Sequence, residues 1–325
     1  MKNSTSRAAS TTQSTTGRPR LARVVVVRGG RSLEREISLR SGHNVAAAAK
    51  RLGHDVEEAD VDSALTRMLS TADVVFIALH GRDGEDGTLQ LVCEAVGVPY
   101  TGSGPLTCRS CFDKGIAKGL LLRAGIPVPP GYVIPEEAVR HMGAGAALRD
   151  AATKLGYPLI VKPAAQGSAL GLALVDDPAD LSAAALAAFD HGDRILIERF
   201  VDGVDVTVAV YGPEPAPLPA VDIKTPAKVF DFETRVSPGA YEFVCPSKIA
   251  DERTPTLAVE VARLMGVRDF GRVDMRIGED GPVVLDVKTC PGLTETSIVP
   301  FAVAHAQLRF EDFVEATLDA ALARQ

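Results

Sequence analysis

Several residue types are scarce or absent in this chain of 325 residues. Tryptophan does not occur, aromatic residues make up 5%, and there are five cysteines. An odd and small number of cysteines excludes a disulfide-stabilised scaffold for a chain of this length and favours a reducing compartment, so we expect a cytoplasmic protein. No apolar run reaches the ~20 residues of a membrane-spanning helix, and we expect no membrane partner.

Basic residues are fewer than acidic residues. The chain has 35 Lys and Arg against 42 Asp and Glu, a net charge of −7. A general nucleic-acid-binding surface needs the opposite balance, so we expect no nucleic-acid partner. The hydrophobic fraction of 46% and the charged fraction of 24% are ordinary for a globular protein. The length is sufficient for two or three domains.

Two local patterns favour ordinary structural explanations. The first stretch, residues 1–20, is rich in Ser and Thr, has no acidic residue and lacks an apolar core segment. It is typical of a disordered tail rather than of a secretory signal. Cys108 and Cys111 form a CxxC, but no second pair stands at zinc spacing, so we expect buried thiols rather than a metal or redox site.

The order of predicted elements indicates an α/β protein. Residues 21–113 alternate strand, helix and strand, which predicts a parallel sheet with ligand sites at the strand C-terminal ends. Residues 114–204 and 205–325 instead show strand pairs and helices, which favours two mixed lobes with antiparallel sheets. Asp202-Gly203 between two strand-like runs predicts a hairpin, and the turn around Gly281 predicts another.

A small-residue loop follows a strand in the second of these regions. Lys162 ends an apolar run, and the sequence continues as PAAQGSALG. Small residues let main-chain N–H groups approach an anion, to which the lysine adds positive charge. The lysine precedes the glycines, unlike in a P-loop. A plain glycine-rich hairpin has the same composition, so both interpretations remain open.

Two acidic residues are predicted on neighbouring strands near the C-terminus. Asp274 and Asp286 belong to strands joined by a Glu-Asp-Gly turn, which would bring their Cβ atoms to ~5 Å. Buried carboxylates at that distance repel each other unless a cation intervenes, and Mg²⁺ with a nucleotide is a common solution. Arg272 shares the face of Asp274. The alternative is a solvated acidic face on an exposed hairpin.

The N-terminal region adds polar residues at its strand ends. Glu34 follows a Gly-Gly turn, and His80 ends the strand-like run DVVFIALH. Both positions lie where open α/β sheets bind ligands. Each residue alone would more often have a structural role.

From Val24 to about Phe301 the sequence resembles the D-alanine–D-alanine ligase family of the ATP-grasp superfamily. The stretches that carry the resemblance are GGRSLEREISLRSG, ALHGRDGEDGTLQ, VPYTGSG, DKGIAKGLL, GIPVPP, YPLIVKPAAQGSALG, ILIERFVDGVDVTVAV, GRVDMR and PGLTETSIVP. This resemblance implies a three-domain ATP-grasp fold with a Rossmann-like N-terminal domain and with ATP bound between the second and third domains. It also implies an ADP-forming carboxylate-amine ligase, commonly a homodimer, that makes D-alanyl-D-alanine for peptidoglycan.

The resemblance also implies a mechanism and a set of site residues. ATP would phosphorylate the carboxylate of a first D-amino acid, and the amine of a second would attack the acylphosphate. By the resemblance, Glu34 would bind the ammonium of the first substrate, with His80 nearby, and Ser297 would bind the carboxylate of the second. Arg272 and the Gly292 N–H would stabilise the oxyanion, and Asp274 and Asp286 would hold Mg²⁺. The ATP phosphates would contact Lys114 and Lys162 under a loop that contains Ser168, and adenine and ribose would contact Glu198, Arg199 and Asp205.

Four positions depart from the family pattern, namely Ala165 and Gln166 in the phosphate loop, Val236 and Lys288. Lys288 stands where the family has an asparagine that shares a second Mg²⁺, and a protonated ammonium cannot bind a metal. We therefore predict one Mg²⁺, with Lys288 as a fixed charge. Val236 replaces a tyrosine of the mobile loop. The alternatives are a specialised ligase with another amino-acid or amine substrate, in natural-product or antibiotic biosynthesis or in resistance, and a non-catalytic nucleotide-binding homologue.

Overall fold

The computed structural model describes residues 21–143, 145–237 and 239–324, but not the side chain of Val236. The predicted tail, residues 1–20, lies outside the described residues. Within the described ranges, no helix has the length and apolar character needed to cross a membrane.

The N-terminal unit is built on a parallel sheet of three strands in the order β2-β1-β3, as the sequence predicted. The strands are β1 (Arg23–Val27), β2 (Asp55–Ala59) and β3 (Val74–Ile77), and the helices are α1 (Arg35–Arg51), α2 (Leu65–Leu69), α3 (Thr88–Val96) and α4 (Pro105–Phe112). The valines of β1 are buried on both faces, which is typical of a strand covered by helices on both sides. Cys108 and Cys111 in α4 are buried free thiols, as expected.

The central unit contains an antiparallel sheet of four strands in the order β4-β7-β5-β6. Its strands are β4 (Gly131–Pro135), β5 (Leu159–Pro163), β6 (Ala173–Val175) and β7 (Arg194–Arg199). Helix α5 (Lys114–Arg123) precedes this sheet in the chain and packs with Ala117 and Leu121 in the core of the C-terminal unit, whereas α6 (Glu136–His141), α7 (Gly145–Leu155) and α8 (Leu181–Phe189) belong to the central unit. In β5, Leu159 and Val161 join the hydrophobic core, whereas Ile160 and Lys162 face a cavity. Strand alternation therefore aims Lys162 away from the core.

The C-terminal unit has a six-stranded sheet in the order β11-β10-β8-β12-β13, with β9 beside β8. Its strands are β8 (Val204–Gly212), β9 (Ala216–Pro217), β10 (Val221–Lys224), β11 (Glu242–Val244), β12 (Asp269–Gly278) and β13 (Gly281–Lys288), and its helices are α9 (Phe232–Val236), α10 (Arg253–Met265), α11 (Ile298–His305) and α12 (Phe310–Leu322). The predicted hairpin of β12 and β13 is confirmed, and Asp274 lies directly opposite Asp286.

The N-terminal and C-terminal units share one hydrophobic core. Phe76 of β3 stacks on Phe270 of β12 at a centroid distance of 6.0 Å, and Phe270 contacts Phe313 of α12 at 5.4 Å. All three side chains are fully buried. This core fixes the strand ends of the N-terminal unit relative to the β12–β13 hairpin.

The predicted hairpin at Asp202-Gly203 is wrong. Strand β7 pairs with β4 and β5, and β8 pairs with β10 and β12, so each strand already has neighbours on both edges. The segment instead carries the chain from one sheet to the other. Gly203 has φ +147°, and a Cβ there would lie 2.2 Å from the carbonyl oxygen of Ile277. The glycine is needed for this close approach of two backbones.

Candidate active site

A cavity of about 840 Å³ lies between the central and C-terminal sheets, and the N-terminal unit closes one side of it. Every predicted site residue whose side chain is described lines this cavity. Those residues are Glu34, His80, Lys114, Lys162, Ser168, Glu198, Arg199, Asp205, Arg272, Asp274, Asp286, Lys288, Gly292 and Ser297.

The small-residue loop after β5 reaches across the cavity to Glu34. The Ser168 hydroxyl donates a hydrogen bond to Oε1 of Glu34. Ser168 and Ala169 have φ of +51° and +57°, and a Cβ on Gly167 would lie 2.3 Å from Oε2 of Glu34. The loop is therefore a docked element rather than a plain hairpin turn. Within the described residues, Oε2 of Glu34 is buried without a hydrogen-bond partner, which suits an incoming ammonium.

His80 holds the turn that contains Gly292. Its Nδ1–H donates to the carbonyl oxygen of Cys290 (3.0 Å), and burial lowers its pKa, so neutral Nε2 accepts from the hydroxyl of Ser41 (2.9 Å). The same Ser41 oxygen accepts the N–H of Leu293 at 3.0 Å. Neither ring nitrogen is free to bind a substrate. We infer that His80 positions the turn, and its role at the substrate stays a prediction.

Gly292 and Ser297 line the cavity and lie close to each other. In the described part of the chain, the Gly292 N–H has no hydrogen-bond acceptor, as an oxyanion donor requires. A Cβ on Gly292 would lie 2.8 Å from Oγ of Ser297. The Ser297 hydroxyl is 2.8 Å from that of Thr294, which gives the wall two neighbouring hydroxyl groups.

The paired carboxylates on the hairpin are balanced by side-chain cations. Arg272 donates to both oxygens of Asp274, from Nε at 2.6 Å and from Nη2 at 2.7 Å. Oδ2 of Asp286 lies 3.5 Å from Nζ of Lys114 and 3.3 Å from Nζ of Lys288. Although burial opposes ionisation, Arg272 holds the pKa of Asp274 below its usual value, and the two lysines do the same for Asp286. The solvated acidic face is thereby excluded.

The two carboxylates fit a metal ion only together with further oxygen ligands. Across the described residues, no group of three or more His, Cys, Asp or Glu side chains is arranged to hold a metal. Mg²⁺ commonly binds one or two carboxylates and takes its remaining ligands from phosphate and water. Asp274 and Asp286 on facing strands meet that requirement when a nucleotide supplies the phosphate.

Lys288 joins the hairpin to the N-terminal unit through a residue that the sequence analysis missed. Its Nζ lies 3.6 Å from Oε2 of Glu85, whose Oε1 accepts the N–H of Gly81 at 2.9 Å. Burial raises the pKa of Glu85 to about 7, although Lys288 opposes the shift. Burial alone would lower the pKa of Lys288, but Asp286 and Glu85 hold this pKa above its usual value. The stretch HGRDGEDG contained the signal, but only His80 was selected from it.

Lys114, Lys162 and Glu198 form the basic wall of the cavity, and Lys118 lies next to Glu198. Nζ of Lys114 donates to the carbonyl oxygen of Gln166 at 2.7 Å, and burial lowers its pKa to about 8. Glu198 forms ion pairs with Lys162 and with Lys118, a second residue that the sequence analysis missed. Burial alone would raise the pKa of Glu198, but Lys118 and Lys162 hold this pKa below its usual value. Lys118 follows Lys114 by four residues on α5, a spacing that places both on one helix face.

Glu198 and Arg199, both predicted at adenine and ribose, are neighbouring residues of β7. Neighbouring residues of a strand face opposite sides. Nε of Arg199 donates to the carbonyl oxygen of Leu155 (2.8 Å), away from the carboxylate of Glu198. Asp205 accepts from Nη1 of Arg276 at 3.1 Å, and burial raises the pKa of Asp205. Arg276 was not predicted as a site residue.

Helix α9 covers the cavity from the C-terminal unit. Asp231 caps the helix by accepting the N–H of Thr234 (2.9 Å). Arg235 lies over the ring of Phe230 at 4.2 Å, and its Nε is buried without a partner in the described part of the chain. The side chain of Val236 lies outside the described residues, so the consequence of the missing tyrosine stays a prediction.

Two family profiles match the chain. The profile described as D-ala D-ala ligase N-terminus matches residues 52–103, and that of the D-ala D-ala ligase C-terminus matches residues 120–319. The D-alanine–D-alanine ligase of Alcanivorax borkumensis is 40% identical over 306 residues, covering 93% of this chain and 94% of the relative. That of Alkalilimnicola ehrlichii is 39% identical over 296 residues, covering 90% and 92%.

Solved structures give the same result. The D-alanine–D-alanine ligase of Bacillus anthracis complexed with ATP has a TM-score of 0.79 at 25% identity and covers 93% of this chain and 98% of its own. The VanG D-Ala:D-Ser ligase of Enterococcus faecalis has a TM-score of 0.79 at 26% identity, covering 93% and 100%. Both the sequence and the fold match over nearly the whole described chain.

Proposed function

This chain belongs to the D-alanine–D-alanine ligase family, and on that premise we propose that it joins two molecules of D-alanine while ATP is converted to ADP and phosphate. The observation that carries the proposal is one cavity in which facing carboxylates, lysines, an arginine and a docked small-residue loop converge. Such a cavity supplies cations for phosphate oxygens and N–H donors for a developing oxyanion.

In this proposal Glu34 binds the first substrate. The unpartnered Oε2 of Glu34 accepts the ammonium of D-alanine, and Ser168 fixes the carboxylate through Oε1. Arg272 and the N–H of Gly292 flank the carboxylate that becomes phosphorylated. They then stabilise the oxyanion that forms when the amine of the second substrate attacks the acylphosphate. Phosphate leaves, and the new amide bond remains.

The basic wall binds the nucleotide. Lys114 and Lys162 contact phosphate oxygens, and Asp205 with the main chain near Arg199 faces adenine and ribose. Asp274 and Asp286 would hold Mg²⁺, which when bound neutralises charge on the phosphates. Lys288 already places an ammonium 3.3 Å from Asp286, so we propose that one Mg²⁺ is bound rather than two.

The second D-alanine binds near Ser297. Its carboxylate accepts hydrogen bonds from the hydroxyls of Ser297 and Thr294, which lie 2.8 Å apart. This orientation would aim its amine toward the carbonyl carbon held between Arg272 and Gly292. The departure at Lys288, beside Glu85, favours a second candidate, a ligase of this family whose second substrate is another amino acid.

We further propose that the product feeds peptidoglycan synthesis and that the enzyme acts in the cytoplasm, where ATP is supplied. We propose a homodimer, a state that analytical ultracentrifugation measures directly. The domain boundaries that we propose are residues 21–113, 114–204 and 205–325. Family resemblance is the support for all four statements.

One assay separates the candidates. The protein is incubated with ATP, Mg²⁺ and a panel of D- and L-amino acids, and phosphate release is measured together with product mass. Phosphate release with D-alanine alone, and a product of the dipeptide mass, supports the proposal. A requirement for a second amino acid supports the specialised ligase. ATP binding without product from any pair supports a non-catalytic homologue and refutes both.

A further inference from the structure

Glu198 is a buried carboxylate that two lysines share. It lies on β7, is 2% exposed, and pairs through Oε1 with Lys162 of the neighbouring strand β5. Its Oε2 lies 2.6 Å from Nζ of Lys118 on α5. Lys118 is 9% exposed. A carboxylate this deeply buried needs a cation, but one cation suffices to neutralise it.

The two lysines differ in what they face. Lys162 and Glu198 line the active-site cavity, whereas Lys118 is not among the lining residues and lies behind Glu198. The contact of Lys118 with Oε2 is an ion pair without the geometry of a hydrogen bond. Its contribution to Glu198 is therefore mainly one of charge rather than of directed bonding.

The net charge of the cluster of Glu198, Lys162 and Lys118 depends on Lys118. Glu198 and Lys162 alone would form a pair with no net charge, and the carboxylate would offset part of the attraction between the ammonium and an approaching phosphate. With Lys118 present, the cluster carries one net positive charge, and this charge sits on the cavity side, at Lys162. In a site of low dielectric such a difference is large compared with the same difference in water.

We propose that Lys118 is a positioning residue that neutralises Glu198, so that the charge of Lys162 stays available for a phosphate of ATP. This inference rests on the proposed function, since it takes ATP as the ligand. Lys118 itself touches neither the nucleotide nor the reacting atoms. It acts on ATP affinity through Glu198.

A double-mutant cycle tests this role. Lys118→Met keeps the aliphatic stem and removes the charge, and Glu198→Gln removes the carboxylate that Lys118 neutralises. We expect Lys118→Met to raise the Kd and KM for ATP about 10- to 100-fold, the range for a lost charge-assisted contact, with a much smaller change in kcat. In the Glu198→Gln background, Lys118→Met is expected to cost much less ATP affinity than it costs in the wild type, because Lys118 then has no carboxylate to neutralise. Lys118→Arg is expected to retain affinity.

The controls distinguish charge from structure and from the proposed function. Lys154→Met removes an exposed lysine of α7 and is expected to leave ATP affinity unchanged. If Lys118→Met does not fold, the double variant still decides, since ATP affinity close to that of Glu198→Gln alone supports the charge role and a tenfold loss from that value contradicts it. Additive losses in the cycle, or an unchanged Kd in Lys118→Met, would overturn the inference while wild-type binding stands. Wild-type protein that binds no ATP would instead overturn the proposed function.

Discussion

Glu85 should make the stability of this protein fall as the pH rises through neutrality. Burial raises its pKa from 4.5 to about 7, even with Lys288 beside it. Between those two values the folded state binds a proton that the unfolded state has released, so the free energy of unfolding decreases as the pH increases. A difference of about 2.5 pKa units corresponds to ~3.4 kcal/mol in full, of which about 2.5 kcal/mol is lost between pH 5 and pH 8.

The variant Glu85→Gln removes this titration while keeping the side-chain shape. Urea unfolding of the wild type and the variant at pH 5 and pH 8 measures the effect. Between these pH values, we expect the variant to gain about 2.5 kcal/mol relative to the wild type. Glu260→Gln, an exposed glutamate on α10, is the matched control and should follow the wild type. Equal pH slopes for Glu85→Gln and the wild type would refute the reasoning.

Three further variants test the site and the fold. Gly167→Ala places a Cβ 2.3 Å from Oε2 of Glu34, so kcat should fall while the unfolding free energy changes little, and unchanged kcat would contradict the docked loop. Gly203→Ala places a Cβ 2.2 Å from a carbonyl oxygen at φ +147°, so urea unfolding should show a loss of at least about 2 kcal/mol. Lys288→Asn should raise the number of Mn²⁺ ions bound with a non-hydrolysable ATP analogue from one to two, counted by electron paramagnetic resonance. Two ions in the wild type would refute the single-metal proposal.

The sequence predicted the parts of the site that depend on local pattern. Asp274 and Asp286 were expected to face each other because strand alternation and a short turn set the register of a hairpin, and they do. The parallel sheet followed from the repeated alternation of strand and helix. These features need information from only a few neighbouring residues.

The errors concern partners that only the tertiary fold decides. Asp202-Gly203 has the composition of a hairpin turn, but the strands on either side of it, β7 and β8, belong to different sheets. Glu85 and Lys118 were missed because their charge is meaningful only beside Lys288 and Glu198, which lie far away in the sequence. His80 was correctly placed in the cavity, but its ring nitrogens are taken by Ser41 and Cys290.

The central claim is that D-alanine is activated as an acylphosphate. The most direct test uses D-alanine labelled with ¹⁸O in both carboxylate oxygens, together with ATP and Mg²⁺, and measures the mass of the released phosphate. Attack of the carboxylate on the γ-phosphorus, followed by displacement by the second amine, transfers one labelled oxygen to each phosphate. We predict D-alanyl-D-alanine and singly labelled phosphate in equal amounts. Dipeptide accompanied by unlabelled phosphate, or phosphate release without dipeptide, would contradict the account.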